Sequence, residues 1–513
     1  MTGFTEIIRL RVANEVGVVR KDHGGRVRVC LVYPNTYFVG MSSLGFQSIY
    51  YLLNQNPEAV CERAFVPDKD ELAELERTRA EFISYESQTP LGQFDVIALS
   101  VSYELDYIGV GRVLRLAKVP AMSRDRGKHH PIVIAGGAAV SINPDPLADL
   151  MDAVVIGEGE KVVGDIVRAI RSAAGKEEAL EKMGDVEGIW VPREEKESGD
   201  PTGGKGQRRR YVRDLERWPT HSRLLTSETE FGGLFLVEVS RGCGRGCKFC
   251  VTPACYWPLR WRSVEGVLRS ARGGMAHRDA IGLVGAAVSD HPEIDEIATR
   301  VVGMGARLSV SSLRADSVSD DLIHALARSG ARSITIGVEA GSERLRDRIG
   351  KGITDEHIFD ALRRASGAGI KEAKLYFMVG LPGETEEDVE AIPKIVRRCM
   401  REGNLRRITV AAGAFVPKPE TPYAGGKMLP VRELSRRLRV IRDSLRREKR
   451  VRLALESANW SMIEGILSQG DRRLGEVIVN AEARGGNLAA WRGAMRDGEV
   501  AIEDNSRGAQ RGD

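Results

Sequence analysis

Three cysteines lie within eight residues of this 513-residue chain: Cys243, Cys247 and Cys250, in the string Arg-Gly-Cys-Gly-Arg-Gly-Cys-Lys-Phe-Cys. Thiolates at this spacing are typical of a zinc site or an iron–sulfur cluster. The other four cysteines are scattered along the chain, so the group does not reflect a cysteine-rich composition. Because a cubane cluster has four irons, three local thiolates leave one iron open to bind another ligand.

A fourth protein ligand would change the chemistry of this site. A structural zinc site normally takes four protein ligands, and Cys255 or His277 would be available as the fourth. Cys255 would equally complete a cluster that only transfers electrons. From the residues alone, the three cysteines predict a metal centre and leave the nature of its last ligand open.

Bulk composition indicates a protein of a reducing compartment. Seven cysteines, an odd and low number for this length, argue against a disulfide framework. The first residues lack the apolar core of a signal peptide, and no apolar run approaches the roughly 18 residues of a membrane span. A net charge of +4 is too near balance to indicate nucleic acid by itself. We therefore expect a cytoplasmic protein without a membrane partner.

The N-terminal third alternates short apolar strands with helical segments, which is typical of a parallel sheet covered by helices on both faces. Ligands of such sheets bind at the carboxyl ends of the strands. The predicted strands are residues 27–32, 94–101, 131–135 and 153–156. Their carboxyl ends carry Tyr33-Pro34-Asn35, Ser102-Tyr103-Glu104, Gly136-Gly137 and Gly157-Glu158-Gly159-Glu160.

A second strand–helix series follows a Gly-rich, charged segment at residues 194–210, which we interpret as a linker. Its predicted strands are residues 234–239, 281–287, 307–311, 333–338, 373–379 and 408–415. Six such units indicate a partial (β/α)6 barrel of TIM type, since closure needs eight strands. Catalytic groups of these barrels lie at the carboxyl ends of the strands, and the three cysteines directly follow the first strand.

From residue 430 the sequence is basic and predicted to be helical. Its apolar positions recur at three- and four-residue spacing, which gives one apolar face: Val431, Leu434, Leu438, Ile441 and Leu445. The arginine-rich opposite face fits either a solvated surface with ion pairs or a contact with RNA. The arginines at 208–210 have the same two interpretations.

The cysteine spacing and the strand ends that follow it resemble the radical S-adenosylmethionine (SAM) superfamily over roughly residues 234–423. In that family the three cysteines bind a 4Fe–4S cluster whose open iron is chelated by SAM. The resemblance implies that an electron from the cluster cleaves SAM, and that a 5′-deoxyadenosyl radical then abstracts a hydrogen atom from the substrate. An electron donor such as flavodoxin or ferredoxin is the implied partner.

The resemblance also implies where SAM would be bound. The end of the second strand departs from the family's usual Gly-Gly-Glu and offers Gly285 and Ser289 instead. The implied metal ligands are Cys243, Cys247 and Cys250. The implied SAM contacts are Phe249, Gly285, Ser289, Ser309, Ser311, Arg314, Glu339, Val379, Gly380 and Leu381.

The N-terminal third resembles the cobalamin-binding-like domains that are fused to radical SAM barrels. The likeness lies in the strand-end strings, beginning with Tyr33-Pro34-Asn35-Thr36-Tyr37. The sequence has no Asp-x-His-x-x-Gly, the motif by which some cobalamin domains ligate cobalt. Two interpretations stay open: cobalamin binds without a protein histidine, or the domain binds nothing.

Together these patterns predict a doubly wound parallel sheet, then a partial (β/α)6 TIM-type barrel, then a C-terminal helical extension. The predicted regions are a cobalamin-binding-like α/β domain (1–193), a linker (194–230), a radical SAM core (231–428), a helical extension (429–503) and a disordered tail (504–513).

The predicted function is C–H activation by a 4Fe–4S radical SAM enzyme. Cobalamin-linked methyl transfer ranks ahead of methylthio transfer, because no second cysteine group exists for a second cluster. The alternative is a non-catalytic iron–sulfur or zinc protein that binds RNA; the substrate, RNA included, stays open.

Overall fold

A computed structural model describes residues 3–193 and 208–500 of the chain. These residues form two units, each with its own core. Of the described residues, the first unit takes in 3–193, 208–214, 220–232 and 467–500, and the second takes in 215–219 and 233–466. Part of the predicted linker, residues 194–207, and the predicted tail, residues 504–513, lie outside the described residues.

A six-stranded sheet forms the core of the first unit. Its strands are β1 Val27–Tyr33, β2 Ala59–Phe65, β3 Val96–Ser100, β4 Ile132–Gly136, β5 Ala153–Val155 and β6 Ile189–Trp190. Their order in the sheet is β2-β1-β3-β4-β5-β6, and every pair is parallel except β5 with β6. The predicted doubly wound parallel sheet is therefore confirmed.

Helices cover this sheet where local sequence signals start them. The helix Leu44–Gln55, for example, begins where the Ser43 hydroxyl accepts a hydrogen bond from the Phe46 backbone N–H at 3.3 Å. The helices of the first unit are Phe4–Ala13, Tyr37–Met41, Leu44–Gln55, Lys69–Thr78, Tyr107–Leu116, Ala138–Ile142, Val162–Ser172, Lys176–Gly184, Leu474–Ala483 and Leu488–Asp497.

Strand β2 was absent from the predicted set because it carries two adjacent charges, Glu62 and Arg63. All seven of its residues are buried. The Arg63 guanidinium pairs with Glu15 at 2.6 Å and with Glu86 at 2.6 Å, and the three side chains have almost no exposed surface. Charge pairing inside the unit therefore allows a sequence with polar character to form a buried strand.

A parallel barrel sheet forms the second unit. Its strands are β7 Phe235–Glu238, β8 Ser240–Arg241, β9 Arg260–Trp261, β10 Ala280–Val284, β11 Arg307–Val310, β12 Ser333–Glu339, β13 Glu372–Val379, β14 Arg407–Ala414 and β15 Val451–Leu455. The sheet β7-β10-β11 and the sheet β12-β13-β14-β15 are each parallel, and a single parallel bridge between Leu313 and Ile336 joins them. The predicted partial barrel is confirmed, with β7 and β10–β14 as its six predicted strands.

Side-chain caps begin several helices around this barrel. The hydroxyls of Ser263, Ser319 and Thr354 each accept a backbone N–H of the helix that follows. The helices are Thr252–Tyr256, Val264–Met275, Ile294–Gly303, Asp320–Arg328, Glu343–Arg348, Asp355–Gly367, Glu386–Glu402, Val431–Leu445 and Ala458–Gln469. No helix within the described residues is long and apolar enough to cross a membrane.

The predicted helical extension at 429–503 is divided between the two units. Within residues 429–500 the regular structure is helical apart from β15, which pairs with β14 as a seventh barrel strand where the sequence predicts helix. The last two helices belong to the first unit, where the buried Glu482 carboxylate accepts hydrogen bonds from Arg112 at 3.2 Å and Arg115 at 2.9 Å.

Replacing Arg63 by alanine should strongly destabilise the first unit. The substitution leaves the buried carboxylates of Glu15 and Glu86 without their cation, which typically costs about 3–5 kcal/mol of folding free energy. Urea denaturation of the full chain would measure the loss. Arg9→Ala is the matched control, because Arg9 pairs with Glu6 at 3.6 Å on an exposed helix surface and should change stability by less than about 0.5 kcal/mol. Equal stability of the two variants would contradict the expectation.

Candidate functional site

The three clustered cysteines lie in one loop, residues 242–259, which we call the cysteine loop. Strands β8 and β9 pair antiparallel at its base, with Ser240 opposite Trp261. Cys243, Cys247 and Cys250 are all partly exposed, whereas the other four cysteines are buried. The loop therefore presents three accessible thiols within one short segment that starts just after the first barrel strand.

A four-residue segment, residues 348–351, holds the cysteine loop in place, and we call it the tether segment. The Lys248 backbone N–H donates to the Ile349 carbonyl at 2.9 Å, and Lys248 Nζ donates to the Arg348 carbonyl at 2.8 Å. Gly350 has a φ of +72° and lies against the Gly246 carbonyl, so a side chain at position 350 would collide with the loop. The loop conformation therefore depends on the chain that follows β12.

Arginine–aspartate pairs connect the cysteine loop to the ends of β10 and β11. Arg245 donates from Nε and Nη2 to the Asp290 carboxylate at 2.8 and 2.7 Å, and its Nη1 lies 3.5 Å from Asp316. Arg314 donates from Nε to Asp316 at 3.0 Å and from Nη2 to the Lys351 carbonyl at 2.9 Å. Although burial acts in the opposite direction, the hydrogen bond from Arg245 lowers the pKa of Asp290.

Lys351 and Glu339 form an ion pair at the carboxyl end of β12, with Nζ 2.9 Å from Oε1. The pairing of β12 with β13 shifts register between Gly337 and Glu339, and Glu339 has a φ of +70°. A positive φ is unfavourable for a residue with a side chain. The surrounding contacts therefore hold the Glu339 carboxylate in a fixed position at the strand end.

Cationic side chains act on the central cysteine. Burial raises the pKa of the Cys247 thiol, and the charges of Lys351 and Arg314 oppose that rise. A thiolate is the form that binds metals. These two cations therefore favour the ligand form of Cys247.

The three cysteines are a donor set that suits a cubane cluster. Three thiolates from one short loop can each bind a different iron, which leaves the fourth iron open to another ligand. Within the described residues, no three His, Cys, Asp or Glu side chains are grouped around one metal position. Cys255, a candidate fourth ligand from the sequence, is buried in the helix Thr252–Tyr256.

The structure brings several of the predicted SAM contacts together. Phe249 packs against an apolar cluster that contains Leu381, Ile349 and Phe415. The Ser289 hydroxyl accepts the Arg314 backbone N–H at 3.1 Å. These residues therefore lie in one region around the cysteine loop.

The remaining predicted contacts lie in varied surroundings. Gly285 lies beside the Ser240 hydroxyl, and the Gly380 backbone N–H donates to the Glu384 carboxylate at 2.6 Å. The Val379 side chain is fully buried, which leaves only its backbone for a ligand. Ser309 lines a cavity of about 290 Å³ between β11 and β12, and Ser311 is exposed just beyond β11. The assignment of each of these residues to SAM stays a prediction.

One residue of the site, Asp316, was outside the predicted set. It has no sequence signal, since an aspartate two residues after Arg314 is unremarkable without the fold. Lys351 and Arg346 follow Glu339 in the sequence and are candidates for binding an anion such as the carboxylate of SAM. The structure pairs the Lys351 side chain with Glu339, whereas Arg346 is fully buried.

The first unit has a second candidate site, at the carboxyl ends of β1 and β3. The strand order changes direction between these strands, and ligands of doubly wound sheets bind at such a switch point. Asn35 Nδ2 donates to the Asp106 carboxylate at 2.7 Å in this crevice. Burial raises the pKa of Asp106 to about 6, and Glu104 adds to the rise while the Asn35 hydrogen bond opposes it. His129 and His130 precede β4 and so lie at the amino ends of the strands, whereas the crevice lies at the carboxyl ends.

Fold and site together define a barrel protein with an iron–sulfur-type cysteine loop at the carboxyl end of its first strand. The chain belongs to the radical SAM superfamily: residues 237–395 match the family described as Radical SAM superfamily. Residues 45–192 match the family described as Radical SAM proteins, N-terminal. The chain is therefore a radical SAM enzyme, a family whose cofactors are a 4Fe–4S cluster and SAM.

Two relatives represent the similar sequences. The uncharacterized protein MJ0966 of Methanocaldococcus jannaschii is 28% identical over 458 residues, which cover 88% of this chain and 90% of that protein. The tRNA-2-methylthio-N(6)-dimethylallyladenosine synthase of Carboxydothermus hydrogenoformans is 24% identical over 305 residues, or 55% of this chain and 66% of that enzyme.

A solved structure of TsrM, a radical S-adenosylmethionine methyltransferase from Kitasatospora setae with cobalamin and a 4Fe–4S cluster bound, has a similar fold. The match has a TM-score of 0.53 and 16% sequence identity, and it covers 93% of this chain and 100% of that chain. At this level of identity it shows a shared fold.

Asp106 should make the stability of the first unit depend on pH. Because its pKa in the folded state lies above the unfolded value of 3.8, the folded state binds more protons and the free energy of unfolding falls as pH rises from about 4 to about 6. The full shift corresponds to about 3 kcal/mol. In Asp106→Asn this contribution should vanish, as measured by urea denaturation at several pH values. Asp185→Asn, on an exposed helix end, is the control; a profile for Asp106→Asn parallel to that of the unmodified protein would contradict the assignment.

Proposed function

We propose that this enzyme uses a 4Fe–4S cluster and SAM to activate a C–H bond of its substrate. The observation that carries the proposal is the cysteine loop, whose three accessible thiols are tied to the strand ends of a partial barrel. Cys243, Cys247 and Cys250 would hold three irons. When bound, the cluster supplies the electron that converts SAM to a hydrogen-abstracting 5′-deoxyadenosyl radical.

The chain's own residues would bind and orient SAM around this loop. The Glu339 carboxylate, fixed by Lys351, is placed to accept a hydrogen bond from an amino or hydroxyl group. Arg314 and Lys351 offer positive charge to the carboxylate of SAM and to the anionic cluster. Phe249 and Leu381 supply an apolar wall against which an adenine ring can pack.

The contacts of the basic segments argue against the RNA-binding alternative. Arg210 donates to Asp165 at 2.5 Å, and its backbone N–H donates to the Ile156 carbonyl at 3.0 Å. On the helix Val431–Leu445, Arg436 and Arg437 both pair with Glu433. These arginines form hydrogen bonds and ion pairs within the protein, which is typical of structural residues and of solvated helix surfaces.

Anaerobic reconstitution of alanine variants would test the cluster. We expect about four irons and four sulfides per chain, and 5′-deoxyadenosine from SAM under dithionite. Cys243→Ala, Cys247→Ala and Cys250→Ala should each lose the cluster absorption and the SAM cleavage. Cys255→Ala is the matched control and should retain both. Tightly bound zinc in the unmodified protein, or full cleavage in a triple cysteine variant, would overturn the proposal.

We further propose that the first unit binds cobalamin and that the reaction is methyl transfer. The switch-point crevice and the resemblance in fold to a cobalamin-binding methyltransferase support this choice. When bound, cobalamin would carry a methyl group from SAM to the substrate. Methylthio transfer, the activity in the name of one relative, is less well supported. It would need cysteines for a second cluster, and the cysteines outside the loop are fully buried: Cys30, Cys61 and Cys399.

Cobalt coordination should distinguish this cobalamin site from a histidine-ligated one. Because His129 and His130 lie at the amino ends of the strands, away from the crevice at the carboxyl ends, we expect cobalamin to bind without a protein histidine on cobalt. The EPR spectrum of the cob(II)alamin-loaded protein should be the same whether histidine carries 14N or 15N. An isotope-dependent splitting would show histidine ligation, and failure to retain cobalamin after desalting would show that the unit does not bind it.

A further inference from the structure

One large aromatic side chain faces the open interior of the barrel, which we call the lumen. Alternate residues of β13 are buried on its outer side: Ala373, Leu375, Phe377 and Val379. Tyr376 points to the other side and is 38% exposed. A tyrosine in the middle of a parallel barrel strand is normally covered by its neighbours. The exposure of this ring therefore needs an explanation.

The neighbours of Tyr376 are too small to cover it. In register with it across the sheet are Gly337 on β12, Ala411 on β14 and Ala454 on β15. Closed barrels fill this layer with bulky branched side chains. Lys374, one pleat below, places Nζ 4.7 Å from the centroid of the Tyr376 ring. The layer therefore leaves space beside the ring that a ligand can fill.

A carboxylate lies one pleat above Tyr376. Glu456 directly follows β15, and its carboxylate occupies the space beside Gly413, which is in register with Met378 of β13. Within the described residues the Glu456 carboxylate accepts no hydrogen bond, while its neighbour Glu464 pairs with Lys418 at 2.8 Å. Glu456 is exposed, and the neighbouring protein atoms and the charge of Glu464 still raise its pKa.

The opposite side of the lumen belongs to the proposed cofactor site. Glu339 Oε1 and Lys351 Nζ lie 2.5 and 3.1 Å from where a Cβ of Gly337 would be. On the β12 side of the lumen, the Glu339 carboxylate is therefore already paired with Lys351. The carboxylate that accepts no hydrogen bond within the described residues, Glu456, lies on the β14–β15 side. A ligand over Tyr376 would therefore lie between the cofactor residues and Glu456.

We propose that Tyr376 and Glu456 form a substrate subsite for a planar aromatic ring that carries an N–H or amino donor. The ring stacks on Tyr376, and its donor group bonds to Glu456. This inference rests on the proposed function for the position of the reacting group, but the subsite itself consists only of side chains of the barrel. Stacking on an aromatic side chain and one charge-assisted hydrogen bond supply both affinity and selection.

Binding of indole and of benzofuran would test the subsite. Benzofuran has the same shape as indole but lacks its N–H donor. Calorimetry on the full-length reconstituted protein, with S-adenosylhomocysteine present to fill the SAM site, should show indole binding about tenfold tighter than benzofuran. Tyr376→Ala should weaken indole binding by about tenfold, and Tyr376→Phe by less than about twofold. Glu456→Leu should make the two probes bind equally.

Two control variants test whether the loss of indole binding is specific to Tyr376 and Glu456. Phe231→Ala removes an exposed aromatic ring, and Glu390→Gln removes an exposed carboxylate; both should bind indole as the unmodified protein does. No indole binding by the unmodified protein, or equal binding by Tyr376→Ala, would overturn the subsite. Either result is distinct from failure of the proposed function, which would show as absence of the cluster or of SAM cleavage.

Discussion

The second unit depends on one short stretch of backbone, the tether segment at 348–351. Its carbonyls receive two hydrogen bonds from Lys248 and one from Arg314, and its lysine side chain pairs with Glu339. The three elements that it joins are the cysteine loop, the chain after β11 and the end of β12. Fixing them through one segment preorganises the charges around the thiols before any ligand arrives.

The arginines around the cysteine loop form ion pairs with aspartates. Arg245 is paired with Asp290 and Arg314 with Asp316, and each pair is at least partly removed from solvent. Guanidinium groups that are already hydrogen-bonded cannot swing freely toward a ligand, so each pair keeps its charges at fixed positions. The lumen on the far side differs, because Glu456 has no such partner within the described residues.

Sequence patterns predict the strands of this protein that consist of continuous apolar runs. Strands such as β3 and β10 were predicted because nearly every residue in them is apolar. Strand β2 was not, since Arg63 and Glu62 interrupt it and only long-range pairing with Glu15 and Glu86 makes their burial tolerable. Strand β15 was missed because its Val-Arg-Leu-Ala-Leu string lies in a stretch of helical character. The cysteines were identified by spacing, whereas Asp316 belongs to the site only through its contact with Arg245, which is distant in sequence.

The division of the chain has a consequence for synthesis on the ribosome. The helices Leu474–Ala483 and Leu488–Asp497 complete the first unit, yet they emerge after every residue of the barrel. Domains generally fold as their residues leave the exit tunnel. The early sheet must therefore wait, with the face around Arg112 and Arg115 uncovered, until the barrel has been made. The nested order makes the barrel the first unit that can finish folding, and the early sheet stays incomplete until its last two helices have been made.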